Sequence, residues 1–218
     1  MPRKTQEQDE PTAENGAQAP ADASAPANGK AAARPRRARA APDPAAEQAV
    51  AERLERAEAL AEGGMHAEAA EAFAAVVALR PDSVRALVGV ATALAAQAKY
   101  EAAEKELRRA EKLAADDAGI QLQLGSVLLK RGNYPAAAAS LRRAVELDPD
   151  AGQGYVLLGE ALNQMAESDA AIEVLETAVR IHPDSSKAYY AMGIAYDRKG
   201  NHERAAEMYR LSRDVAAR

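Results

Sequence analysis

The residues able to do chemistry are few in this chain and poorly spaced for it. Of 218 residues none is Cys and three are His. Without thiols there is no structural disulfide, no thiolate metal site and no Cys nucleophile. His66 and His202 occupy equivalent points of a periodic sequence, four periods apart, where Tyr100 and Tyr134 also stand. In an elongated array that separation precludes a shared metal. Both read as interhelical packing residues with a solvated imidazole, and His182, in a turn, reads the same way. Gly152-Gln153-Gly154 marks the start of a period, not half of a dinucleotide fingerprint. No G-x-x-x-x-G-K-[ST] run occurs, so no P-loop is expected. The acids are spread along helix exteriors in i,i+4 partnerships such as Glu104 with Arg108. No catalytic, metal-binding or cofactor-binding residue is therefore expected, and no enzyme.

The elements that carry these residues follow from composition. Hydrophobic residues make up 48% but aromatics only 4%, and 28 cations against 33 acids leave a net charge of −5. The size suits one domain with a tail. The first large branched or aromatic side chain is Val50, and residues 1–49 hold seven of the eleven prolines. Such a segment has little to bury against the entropy of ordering it, so 1–43 is expected to be a disordered tail. Within it Lys30, Arg34, Arg36, Arg37 and Arg39 form a basic block over 30–39. The block reads as a solubilising linker. Its other reading is weak, salt-sensitive attraction to nucleic acid or an anionic membrane surface. Nucleic acid is not the expected partner. No apolar run approaches the roughly 18–20 residues of a membrane span. The polar N-terminus lacks the apolar core of a signal peptide, so the cytoplasm is the expected location. An ordered domain is expected over 44–218. Asp43 is a fair N-cap there, Pro44 suits a first helical position, and Gly63-Gly64 ends the first helix.

Residues 50–218 align without gaps in rows of 34: 50–83, 84–117, 118–151, 152–185 and 186–218. One column reads Ala69, Ala103, Ala137, Ala171, Ala205. Others read Leu60, Leu94, Leu128, Leu162, Tyr196; Phe73, Leu107, Leu141, Leu175, Tyr209; and Leu79, Leu113, Leu147, Ile181, Val215. Each row holds two helix patterns separated by Gly64, Ala98, Gly132, Ala166 or Gly200, small residues that tolerate a left-handed turn. Pro81, Pro149 and Pro183 close three rows, each followed by an Asp that can cap the next helix, while Asp116-Asp117 punctuate the second row. The Ala column, with Gly125, Gly159 and Gly193 in the first helices, predicts close approach of the two helices of each row. Leu124, Leu158 and Met192 are expected to interlock with Leu141, Leu175 and Tyr209.

This pattern resembles the tetratricopeptide repeat family over 50–218. The fifth row carries Tyr189, Met192-Gly193, Tyr196, Gly200, Ala205 and Tyr209. The fourth carries Tyr155, Leu158-Gly159, Leu162, Ala171, Leu175, Ala178 and Pro183. The third carries Leu124-Gly125, Leu128, Gly132-Asn133-Tyr134, Ala137, Leu141, Ala144 and Pro149. The second row is degenerate. The first carries Arg53 and Arg56 at bulky positions and reads as a polar N-terminal cap. The resemblance implies an all-α, right-handed solenoid of five helix-turn-helix repeats whose first helices line a concave groove. It thereby places Leu54, Val88, Leu122, Val156 and Tyr190 in one groove column and Glu58, Thr92, Ser126, Glu160 and Ile194 in the next. Arg85, Gln153 and Lys187 flank them on one side, and Lys130, Asn163 and Asp197 on the other. An apolar strip with a polar border implies a scaffold or adaptor that holds an extended peptide or one amphipathic helix of a partner protein. Some members hold a chaperone's terminal carboxylate in a Lys-Asn-Asn-Lys-Arg clamp. Only Lys187 matches it here, so that activity is not expected. A second expectation is self-association through the last helix, where Met208 and Leu211 are taken to be uncovered.

Overall fold

The computed structural model describes residues 44–218, and within them the period becomes ten α-helices. They are α1 (Pro44–Glu62), α2 (His66–Leu79), α3 (Val84–Ala96), α4 (Tyr100–Leu113) and α5 (Ala118–Lys130). Then follow α6 (Tyr134–Leu147), α7 (Gly152–Gln164), α8 (Ser168–Ile181), α9 (Ser186–Arg198) and α10 (His202–Ala216). The expected tail 1–43, its basic block 30–39 and the Asp43 cap lie outside the described residues. Among the described residues no helix is long and apolar enough to cross a membrane.

Each helix pair closes in the same way. Gly64, Gly132 and Gly200 take φ of +74°, +76° and +76°, and Ala98 and Ala166 take +59° and +61°. The next residue then returns its N–H to a carbonyl one turn back in the first helix. Met65 bonds Leu60, Lys99 bonds Leu94, Asn133 bonds Leu128, Glu167 bonds Leu162 and Asn201 bonds Tyr196, at 2.9–3.0 Å. This is the Schellman closure, and it satisfies carbonyls the helix end would otherwise leave unpaired.

Between pairs the caps differ from expectation by one residue. Ser83 and Ser185, not the Asp after each Pro, accept from the backbone N–H of Ala86 and Ala188, at 3.3 Å in both cases. Asp117 caps α5 through Ile120 N–H at 3.0 Å, as the second row requires. At the fourth row Ala151 holds the cap position and offers no side chain, while Asp148 accepts from Asp150 N–H within the turn.

The odd helices touch one another in succession, whereas each even helix touches only its neighbours in sequence. The odd helices are therefore the inner layer, and the array curves around them as a right-handed solenoid. Every member of the Ala69–Ala205 column is at most 1% exposed. A Cβ on Gly159 would lie 2.4 Å from Leu175 Cγ, and Leu141 sits over Gly125 at the same distance. Removing that side chain is what lets α7 and α8 close together. Leu87, Leu107, Leu124, Leu128, Leu141, Leu162 and Leu175 are buried, each worth about 1.5–3 kcal/mol relative to exposure.

Leu79 and Leu113 are 57% and 50% exposed and lie outside the core. One expectation fails. Met208 is buried at 8% and belongs to the main core, with Leu211 half-buried against it. The turns of α10 that carry them face α9, so Met208 is not uncovered and Leu211 is only partly so. Arg53 and Arg56 are exposed on α1, as a polar cap requires.

Candidate functional site

The inner layer presents two stretches of unlike character. Over α1, α3 and α5 the polar side chains pair with each other. Arg85 on α3 grips Glu58 on α1 through Nε at 2.6 Å and through a second nitrogen at 2.7 Å. Thr92 donates to Gln123 Oε1 on α5 at 2.9 Å. Val88 and Leu122 lie half-buried beside them, packed against the core.

Over α5, α7 and α9 the helices instead wall a cavity of about 670 Å³. Its polar lining includes Lys130, Glu160, Lys187 and Arg198, with Ser126, Asn163, Gln164, Ser186 and Ser212. Its apolar lining includes Leu157, Tyr190 and Ile194. Lys130 and Lys187 are exposed on α5 and α9, and Glu160 lies half-buried on α7 between them. Burial pushes the Glu160 carboxyl up, and the charges of Lys130 and Lys187 only partly offset it. Among the described residues Lys130, Lys187 and Arg198 form no salt bridge. Tyr190 is 57% exposed, its ring tilted 50° on Tyr209 at 5.6 Å. The large exposed aromatic surface thus stands at the edge of a group of unpaired cations.

Several expected groove residues are elsewhere. Val156 is buried at 7% and is part of the core, so the apolar ladder loses its fourth rung. Asn163 does line the cavity but is only 3% exposed, and it braces α7 on α9, its Nδ2 donating to Ala191 O at 2.9 Å. Its Oδ1 has no partner. Asp197 turns toward α10: Tyr209 Oη donates to it at 2.9 Å and His202 Nδ1 lies 3.1 Å away. These contacts hold its carboxyl below the usual range, while burial and the Asp197 charge push the Tyr209 phenol up to about 12. Gln153 is exposed outside the cavity.

The flanking column had slipped by one residue. Lys130 continues at the 34-residue period into Gln164 and Arg198, which line the cavity; Asn163 lines it too, whereas Asp197 does not. The strict period would have found Gln164 and Arg198. His66 lies at the start of α2, where its carbonyl accepts from Gln97 Nε2 at 2.9 Å. The His182 ring lies over Gly152 in the first turn of α7.

Comparison with known proteins agrees with this architecture. No curated protein sequence matches the chain significantly. Among solved structures it is similar to MamA, at 25% identity and TM-score 0.69 over 74% of this chain and 94% of that one. It is similar to YrrB, described as a TPR protein with an unusual peptide-binding site, at 22% identity and TM-score 0.67 over 78% and 92%. It also shares its fold with PilF of Pseudomonas aeruginosa, at 18% identity and TM-score 0.69 over 78% of each chain. The tetratricopeptide repeat family model matches residues 54–118, 122–165 and 164–216, most of the sequence. The chain belongs to the tetratricopeptide repeat family.

Proposed function

We propose that this chain is a non-enzymatic interaction scaffold that holds a peptide or a single helix of a partner protein against its inner helices. The working surface is the cavity between α5, α7 and α9, with Ser126, Lys130, Glu160, Asn163, Lys187, Tyr190 and Ile194 from the expected groove and Gln164 and Arg198 added. One observation carries the reading. The cations Lys130, Lys187 and Arg198 stand here around exposed apolar surface with no salt bridge among the described residues, while Arg85 and Thr92 nearer α1 are closed by mutual contacts. Concave, mostly apolar sites with a few placed polar groups are the usual form of binding pockets. The peptide-binding site named for YrrB gives the same fold a precedent.

Site-specific photocrosslinking tests this. A benzophenone amino acid placed at Tyr190 should give a discrete adduct with a partner protein in the native extract. Lys187→Glu in the same chain should reduce its yield severalfold. The same probe at Glu173, exposed on the outer helix α8, should give none. Adducts from both positions alike, or from Glu173 only, would refute the groove as the working surface.

A further inference from the structure

Resting on that reading, we propose that the cavity takes an extended acidic segment of its partner, whose side-chain carboxylates reach Lys130 and Lys187 from either side of one apolar residue. Three observations lead there. The first is charge. Lys130, Lys187 and Arg198 face a single acid, Glu160, so the lining carries a net excess of two positive charges. An anionic ligand gains from that field and a cationic one is repelled by it. The whole chain is acidic, with a net charge of −5, so the local excess is not a general property of its surface.

The second observation is size. A helix is about 10–12 Å across, and one of that width would fill 670 Å³ within roughly one turn. The two lysines stand on α5 and α9, with α7 between. Packed helices lie roughly 8–10 Å apart, so their axes are separated by about 16–20 Å. An extended chain covers about 13 Å in four residues, and alternate side chains share one face. Residues i and i+4 can then reach toward the two lysines while residue i+2 sits over Leu157, Tyr190 and Ile194.

The third is what occupies the floor. Glu160 sits half-buried between the lysines, and Leu157 and Ala191 line the wall beside it. A chain terminus inserted here would press its carboxylate against another carboxylate and apolar surface. Carboxylates carried on side chains meet the exposed lysines at the edges instead. The ligand is therefore an internal segment of the form acid–x–apolar–x–acid.

The test is selection from random linear dodecapeptides displayed in two formats, one with an internal and one with a free carboxyl end. Enriched peptides are then synthesised with acetyl and amide ends and titrated by fluorescence anisotropy. The proposal expects the acidic pattern in the internal format. It expects affinity to weaken about tenfold in Lys130→Glu/Lys187→Glu, since each exposed charge pair is individually modest. Glu160→Gln should tighten binding severalfold, because the isosteric change removes the one competing anion. Groove-dependent peptides that carry Lys or Arg, that need a free carboxyl end, or that weaken in Glu160→Gln would overturn it. If no selected peptide responds to these changes or to Tyr190→Ala, the groove reading falls with it.

Discussion

The contact between Gly159 and Leu175 makes a prediction whose sign opposes helix propensity. Replacing a mid-helix Gly by Ala normally gains about 1 kcal/mol. Here the new Cβ would lie 2.4 Å from Leu175 Cγ, 2.5 Å from Cδ2 and 2.9 Å from Cδ1. Carbon atoms rest at about 3.5–4.0 Å, so Leu175 must shift by roughly 1 Å. Leu175 is fully buried among close-packed neighbours and has nowhere to go. Overpacking of this kind costs about 1–3 kcal/mol, which leaves Gly159→Ala a net loss of about 1 kcal/mol. For a domain of this size that lowers Tm by about 2–4 °C. Thermal unfolding followed by far-ultraviolet circular dichroism reads it directly. The same column offers the reverse experiment. Ala91 stands one period before Gly125, Leu107 follows it by sixteen residues, and both are fully buried. That pair already accommodates a methyl, so Ala91→Gly should also destabilise, by about 1–2 kcal/mol from lost propensity and lost burial. A Gly159→Ala protein that melts above wild type would refute the claim that close approach, not chance, placed glycine there.

Two further expectations follow from the turns and the last helix pair. Ala98 and Ala166 hold φ of +59° and +61°, a conformation that costs an L-residue about 1–2 kcal/mol. Glycine relieves this but gains entropy in the unfolded chain, so Ala98→Gly and Ala166→Gly should each stabilise by about 0.5–1 kcal/mol. The two gains should add in the urea midpoint of the double variant, and an unchanged or lower midpoint would show that neither turn is strained. Tyr209 has a folded pKa raised to about 12, so its contribution to stability is complete below pH 10 and is lost as pH rises toward 12. Asp197 is shifted the other way, so its contribution is present above the ordinary carboxylate range and is lost on acidification through its lowered pKa. Ultraviolet titration should show a phenol step near pH 12 that Tyr209→Phe abolishes. A wild-type curve complete near pH 10 would contradict the Asp197 contact.

The architecture was legible because each row spells out both its helices and its breaks. Gly132, Gly200 and their Ala counterparts mark the left-handed residues directly, and the small column marks the close contact. The site was less legible because a column fixes the face of a helix, not the depth of a side chain. Val156 and Tyr190 share one column, yet one is 7% and the other 57% exposed. The difference is neighbourhood: α9 packs on α7, whereas α9 is itself the last inner helix of the described residues and leaves Tyr190 uncovered. Met208 shows the converse. Its apolar character was plain, but periodicity does not tell whether an apolar side chain turns toward its own pair or toward the next one. Asp197 falls outside the cavity for a simpler reason, a one-residue departure from the period that Lys130, Gln164 and Arg198 obey.

The same two register positions answer why the cavity lies at one end of the groove. Glu58 and Arg85 are 27 residues apart, and so are Glu160 and Lys187. In the first case the ion pair is closed through two nitrogens at 2.6 and 2.7 Å. In the second the partners interact only through space. An Arg presents a planar fork that engages both oxygens of a carboxylate, whereas a Lys offers a strongly hydrated point charge. Glu160 is also drawn into the wall, where burial disfavours its charge and weakens its hold on either lysine. The fork at position 85 therefore closes on its own carboxylate near α1. A lysine at position 187, opposite a sunken carboxylate, leaves its charge available to a ligand. In the proposed reading, Arg at position 85 and Lys at position 187, more than the apolar ladder itself, set which stretch of this inner layer is open to a ligand.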